Sequence, residues 1–486
     1  MPFSSQKLGI FFTALVTISF LIAIAIDATP ALRGLGPLPQ WQWLYRHPQL
    51  DARVLLPLAV VAVIALSAHR WLHRSPQYIQ THERWLLLRV VLLSVIFQLS
   101  VLFASNGIMV LLQRTIHPTI IGYFSAATSV EQLPEFLRNY SAHVSELPNL
   151  AKYHPPGPIL FYWAVNQSAS GITRFLPLPA TLQPSHTDVR LLWNNLAPNE
   201  KLGALIASFA VILLAALASV SMYYLGKALY NPRAGLIAAL IYAVVPSVVL
   251  FTPHIDVITP LFTSLSLLCF VIALKRRTFV ACFLSGVFMF LGAFTTLTVL
   301  ATGLIYALLG ISALVRDSRF RRDLHWYVLS FVGGLAVLPV ILYAASGFNV
   351  LATVQEILGG HTGFVQARRS QPLWLIYNYY DFFLFLGIPL LLVALAQLRR
   401  IVVSLRAQAT QLDVVLIGFW LLTLLIDVSG IMHGETGRTW MAFIPFIVAP
   451  LAAFLNRADS NGGFVVVLVA LQGLQAITLA LFLITM

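Results

Sequence analysis

Charge is the scarcest commodity in this sequence. Only 10% of its 486 residues are Asp, Glu, Lys or Arg, against about 25% in an ordinary soluble domain. Hydrophobic residues make up 59%, and the mean hydropathy is +0.85. No soluble fold can hide that much apolar surface, so the chain reads as a polytopic membrane protein. Cysteine is almost missing as well. Cys269 and Cys282 both lie in apolar runs, which suggests neither a disulfide framework nor a thiolate metal site. There is no G-x-x-x-x-G-K-[ST], no G-x-G-x-x-G before a strand, no H-E-x-x-H and no Ser-His-Asp signature. Soluble nucleotide chemistry is therefore unsupported. No fixed-period repeat, low-complexity tail or soluble domain is present. The net charge of +13 reads as basic loops on the cytoplasmic side of a membrane, not as a nucleic-acid surface.

What the chain does have is long apolar runs. They fall at about 8–26, 53–67, 87–111, 203–225, 235–252, 257–274, 279–295, 297–315, 326–345, 375–397, 412–430, 440–455 and 464–485. Each approaches the roughly 20 residues a helix needs to cross a bilayer. The expected fold is an all-α polytopic transmembrane helix bundle of about 12–14 membrane segments, with outer-face loops and short interfacial helices. The stretch 279–315 is too long for one span and is expected to break near Thr295-Thr296. The first run has no small-residue cleavage site before Asp27 and reads as a first span, not a removed signal peptide.

Basic clusters at Arg70/Arg74/Arg84, Lys227/Arg233, Lys275–Arg277, Arg316–Arg322 and Arg399/Arg400/Arg406 set the orientation. All fall on one side if the N-terminus is cytoplasmic and the run 158–178 is a tilted or half-inserted segment. The expected location is a bacterial plasma (inner) membrane. The long outer segments are then 27–52, 112–201 and 346–374. Within the second, residues 127–152 read as a short amphipathic interfacial helix. Trp41, Trp43, Tyr45, Tyr123, Tyr140, Trp374, Tyr377, Tyr379 and Tyr380 read as an aromatic belt. Three segments are expected: residues 1–85 as an N-terminal helix pair, 86–455 as the main module and 456–486 as a C-terminal helix.

Three polar stretches could carry chemistry. Tyr153-His154-Pro-Pro-Gly-Pro158 is a rigid helix entry, because proline at a first helical turn sacrifices no hydrogen bond. The plainer reading is a helix start whose His faces headgroups. His254 and Asp256 sit in a proline-flanked turn, Pro253-His-Ile-Asp256, where they could share a proton, hold a divalent cation or bind a hydroxyl-rich ligand. The plainer reading there is a solvated outer Asp. Glu435 and Arg438 follow in His433-Gly-Glu-Thr-Gly-Arg438. Arg438 could bind phosphate or carboxylate bidentately, or simply close the turn against Glu435.

In order and spacing, these motifs resemble the GT-C superfamily of integral-membrane glycosyltransferases, which includes protein mannosyltransferases and aminoarabinose transferases. The resemblance covers roughly residues 86–455 and includes Tyr224–Gly235 with its following span. It implies a polyprenyl-phosphate-linked sugar donor and transfer on the outer face of the membrane. It also implies an acidic residue early in the first large outer loop. Here that place reads His117-Pro-Thr-Ile-Ile-Gly-Tyr-Phe124, with no carboxylate. The candidate catalytic residues are therefore Asp256, Glu131 and Glu135, with Glu146 as a further carboxylate. Tyr153, His154, His254, Glu435, Arg438 and Lys152 are candidate substrate-binding groups, and Arg114 could aid phosphate neutralisation. A divalent cation is compatible with these residue types, but no ligand spacing specifies one. The rival readings are a transporter or flippase with Asp381 and Asp427 as a midplane relay, and a non-catalytic scaffold of the same fold.

Overall fold

The structure is a computed structural model. It describes residues 3–36, 40–48, 50–173, 175, 178, 184, 187–366, 369–403, 410–459 and 461–485. It is 82% helical, and among the described residues the strands are two short pieces, Leu44–Tyr45 paired antiparallel with Leu483–Ile484. The fold is all-α and polytopic, as the apolar runs imply.

Among the described residues, ten helices are long and apolar enough to cross a membrane. They are Lys7–Ala25, Ala52–Leu72, Glu83–Ser105, Pro198–Leu229, Ile255–Arg276, Leu297–Arg316, Ser318–Ser346, Gln411–Ser429, Met441–Ala458 and Gly463–Phe482. The pair Gln371–Leu386 and Ile388–Val402, bent by 116°, is either a broken eleventh span or a re-entrant loop. The remaining apolar runs form shorter pieces. Run 235–252 divides into Pro232–Tyr242 and Pro246–Leu250, because Pro246 cannot continue the first helix. Run 279–315 does break at Thr295-Thr296, between Phe279–Ala293 and the 3₁₀ turn Leu297–Thr302.

The break at Gly387 shows how backbone is tolerated at membrane depth. Gly387 has φ +120, and a Cβ there would land inside the Gln472 amide. Gln472 donates to Leu386 O at 2.8 Å, and Gln475 donates to Leu384 O at 2.8 Å while accepting from Ile388 N at 3.0 Å. Two glutamines from Gly463–Phe482 thus satisfy the groups that the bend frees, as a low-dielectric interior demands.

The two ends of the bundle differ. At one end Lys227 Nζ lies 2.6 Å from Glu83, and Arg277 pairs with Asp317 at 2.9 Å. There too Arg233 donates to Leu72 O, Asn456 Oδ1 and Asp459 O. Four of the basic clusters gather there, and Arg400 of the fifth stands over Phe454, close by Asn456. The opposite end carries the 112–156 loop and the polar turns at Asp256 and Arg438.

One expectation for that opposite end changes. Residues 127–152 form a string of short turns, Leu133–Arg138, Tyr140–His143, Val144–Glu146 and Asn149–Tyr153, not one interfacial helix. Proline at 134 and 148 and the left-handed Asn149, φ +38, interrupt it. The Gly157–Ile172 helix has 16 residues, about 24 Å at 1.5 Å per residue, which is shorter than the roughly 30 Å hydrocarbon core. Its Asn166 lies against Gly203, near the start of Pro198–Leu229.

Candidate active site

The Asp256 turn is built by anchoring its backbone from below. Arg114, fully buried, donates Nη1 to Leu250 O and Thr252 O, both at 2.7 Å. Arg114 is thus an anchor for the loop that leads into Pro253. His254 N closes on Phe251 O at 2.7 Å. The 3₁₀ turn Ile255–Ile258 then feeds Asp256 into the helix Thr259–Arg276, whose Pro260 sits at the first turn.

The second turn is held by a polar seat on Gln371–Leu386. Asn378 accepts from Gly434 N at 2.9 Å and donates to Met432 O and to Asp427. Asp381 accepts from Gly437 N at 2.9 Å, Thr436 Oγ1 at 3.2 Å and Trp43 Nε1 at 2.6 Å. Gly434 and Glu435 take left-handed backbone, φ +81 and +55. The Glu435 conformation is uncommon for a residue with a Cβ, so the seat compensates local strain. Asp381 and Asp427 are engaged as acceptors for this turn and its surroundings.

These two turns meet. Arg438 Nη1 donates to His254 Nε2 at 2.8 Å and to Asp256 Oδ2 at 3.1 Å, while Nη2 donates to Glu435 at 2.7 Å. His254 Nδ1 lies 3.1 Å from Asp256 Oδ2. Because Nε2 accepts from a guanidinium, a neutral His254 carries its proton on Nδ1 beside Asp256 Oδ2, where the 3.3 Å approach of Asp256 N to the same nitrogen is then a close contact and not a hydrogen bond. His154 completes the group, with Nε2 3.9 Å from Asp256 Oδ1 and Nδ1 2.9 Å from Leu150 O. Tyr140 fixes the same residue by donating to His154 O at 2.8 Å. Asp256 and Arg438 are each 4% exposed, so this is a buried ionic cluster.

Burial lowers the pKa of both histidines, His154 and His254, and Arg438 adds to that effect; Asp256 opposes it. Burial would also lower Arg438, but Glu435 and Asp256 outweigh it and raise the guanidinium. A second cation approaches from the loop side. Arg369 lies between Trp41 and Trp374, 5.7 and 5.6 Å from their ring centres, and 3.9 Å from Glu435. It also donates to His433 O.

Asp256, His154, His254, Glu435 and Arg438 therefore come together from three segments widely separated in sequence. Lys152 and Tyr153 stay on the adjacent lip, half-buried, with Lys152 Nζ 5.1 Å over the Tyr153 ring. Glu131, Glu135 and Glu146 do not join. All three are exposed, and none hydrogen-bonds or ion-pairs with the cluster. The belt expectation also needs correction: Trp43, Trp374, Tyr123 and Tyr140 are buried. Tyr123 packs edge-on against both His154 and His254, at 5.4 and 6.1 Å between ring centres. The sequence signal for Tyr123 was its position in the stretch where a carboxylate was sought. Asn378, Arg369 and the seat role of Asp381 had no motif to mark them.

Among the described residues, no three His, Cys, Asp or Glu side chains form a cation-binding group. Asp256 Oδ2 is already engaged by Arg438 and His254.

Residues 199–343 match the family model of dolichyl-phosphate-mannose-protein mannosyltransferases. The match covers less than a third of the chain and includes His254 and Asp256, but not His154, Glu435 or Arg438. No curated protein matches the chain. On a bundle of many apolar helices, the match fits a GT-C-type membrane glycosyltransferase that uses a polyprenyl-phosphate sugar donor.

Proposed function

We propose that this chain transfers a sugar, with inversion, from a polyprenyl-phosphate donor to a hydroxyl acceptor. Transfer takes place at the end of the bundle opposite the basic clusters. With the N-terminus cytoplasmic, that end is the outer face of a bacterial plasma membrane. The observation that carries the reading is the position of Asp256, one oxygen bound by Arg438 and His254 and the other directed toward His154. A carboxylate so placed can take a proton on one side while a guanidinium receives a phosphate on the other.

Arg438 is the donor-side group. Its Nη2 now holds the Glu435 carboxylate, which is partly exposed at 24%. A phosphate oxygen can accept from the same Nη2 and a second from Nε, which has no partner among the described residues, so the donor would displace Glu435 and take its place. Arg369, already beside Glu435, would add a second positive group. Neutralising the leaving phosphate is electrostatic stabilisation of charge that develops in the transition state. Asp256 is the general base, within the reach that proton transfer requires once the acceptor is bound. His154 and Tyr153 orient ligand at the lip.

The test is transfer from a panel of radiolabelled polyprenyl-phosphate sugars in proteoliposomes. Asp256→Asn should lower turnover by about 10²–10⁴, the usual worth of a general base. Arg438→Ala would strand buried carboxylates, so Arg438→Lys is the better partner variant, keeping the charge while losing the fork. It should cost about 10² or more. Wild-type transfer that both folded variants retain would discard this site, and no transfer from any donor would count against the reaction itself.

A further inference from the structure

Buried polar atoms without partners are few in folded proteins, and each asks for a reason. Three of them belong to Asp256 and to two tyrosines that feel its charge. Its own Oδ1 has no hydrogen-bond partner among the described residues, and neither do the hydroxyls of Tyr123 and Tyr162. All three belong to buried residues. Tyr123 touches His154 and His254 edge-on, and Tyr162 packs at 6.0 Å against Phe124, the residue after Tyr123. Burial raises both tyrosine hydroxyls, and the charge of Asp256 adds to the effect on each.

The fourth member is His154. Its Nδ1 is used by Leu150 O, which leaves Nε2 as an acceptor facing the acceptor Asp256 Oδ1 at 3.9 Å. Two acceptors face each other, the Tyr123 ring packs on both His154 and His254, and the charge of Asp256 is felt at the Tyr123 and Tyr162 hydroxyls. The matching ligand must both donate and accept. An alcohol does so, giving its proton to a carboxylate and taking hydrogen bonds from phenols. A phosphate or carboxylate ligand does not, because no proton would separate it from Oδ1.

We propose that Tyr123, Tyr162 and His154 form the seat of the acceptor hydroxyl, on the Oδ1 side of Asp256. This rests on the transferase reading above and divides its site into two halves. The donor phosphate lies on the Arg438 side and the acceptor alcohol on the tyrosine side. In the step itself the acceptor O–H gives its proton to Oδ1, and the acceptor oxygen bonds to the anomeric carbon. The bond from that carbon to the phosphate oxygen breaks, its electron pair leaving on the phosphate beside Arg438. The ligand class is a sugar or polyol hydroxyl.

The experiment compares wild type with Tyr123→Phe and Tyr162→Phe in proteoliposomes, using glycerol as the acceptor and polyprenyl-phospho-[¹⁴C]mannose as the donor. Each variant should raise KM for glycerol and lower kcat/KM about tenfold, the worth of one hydrogen bond. Donor retention on the protein should stay within about twofold of wild type on the same argument. Weakened donor retention with an unchanged glycerol KM would place these hydroxyls on the donor side. Unchanged kinetics would mean that they hold ordered water only. Either result overturns the seat. Should wild type move no mannose, the transferase reading fails on that donor, and a separate readout still judges the seat. Glycerol should raise Tm of wild type more than that of either variant, and equal shifts would sink the proposal.

Discussion

Protonating His254 would cost the cluster twice. The proton would remove the acceptor that Arg438 Nη1 uses at 2.8 Å, and it would set a second cation against the guanidinium. Burial already holds His254 and His154 below their ordinary pKa, so both are neutral in the folded chain near neutral pH. In the unfolded chain they titrate at about 6.5. Below that value the unfolded state binds protons that the folded state refuses, and stability falls. The contribution is fully present above about 6.5 and is lost as pH drops toward the depressed folded values. Tm should therefore decline on acidification from pH 7.5 to 5. His254→Asn, which cannot be protonated, should flatten that decline. An acid limb equally steep in the variant would show that other groups control it.

At the scale of the element, the turn that carries Glu435 and Arg438 is set by one glycine. A Cβ on Gly437 would drive into the Phe385 ring. That ring cannot easily retreat, since Trp43 and Phe251 pack on it at 4.9 and 5.0 Å. Gly437→Ala should cost about 1–3 kcal/mol, the usual range for overpacking, and displace Arg438 from Asp256. Adding Phe385→Leu should recover part of both Tm and transfer, because the two residues are in contact and their effects are not additive. Additive losses in that double variant would mean that Gly437 acts through something other than Phe385.

This turn also shows what the sequence discloses and what it withholds. Asp256, His254, Glu435 and Arg438 stand out by themselves, because an ionisable residue in so apolar a chain is expensive. Their meeting across 182 positions is a tertiary fact that no local pattern encodes. Asp381 was visible as a charge inside an apolar run, but its task, holding Gly437 N and Trp43, depends on a bend at Gly387. That bend was hidden because the run 375–397 is continuous in hydropathy. Gln472 and Gln475, which make the bend tolerable, lie on a different helix. Tyr123 begins a short helix and Trp43 lies in the loop between the first two long helices, places where aromatics commonly meet headgroups. Hydropathy cannot say whether such a ring faces lipid or the protein interior, and here both turn inward.

The whole molecule is a bundle with two chemically distinct ends, and that difference links the site to a side of the membrane. Helices that start at the acidic and aromatic end, such as Ile255–Arg276 and Met441–Ala458, finish among arginines. Those running the other way, such as Ser318–Ser346, start among them. On the proposed topology the arginine end is cytoplasmic, as the positive-inside rule favours, and Asp256 and Arg438 lie on the outer side, where a lipid-linked donor would be met after it has crossed. Site-directed labelling tests this arrangement. Cys269 and Cys282 are half-buried and buried, so a chain with both replaced by Ser accepts single cysteines at exposed positions. Glu135→Cys reports the site end and Arg321→Cys the arginine end, both positions being exposed. A membrane-impermeant maleimide should label Glu135→Cys in intact cells and Arg321→Cys only after permeabilisation. The reverse pattern would turn the enzyme over and put transfer on the cytoplasmic side. Labelling of both from one side would break the two-ended arrangement, and with it the physical reason for assigning the site to either face.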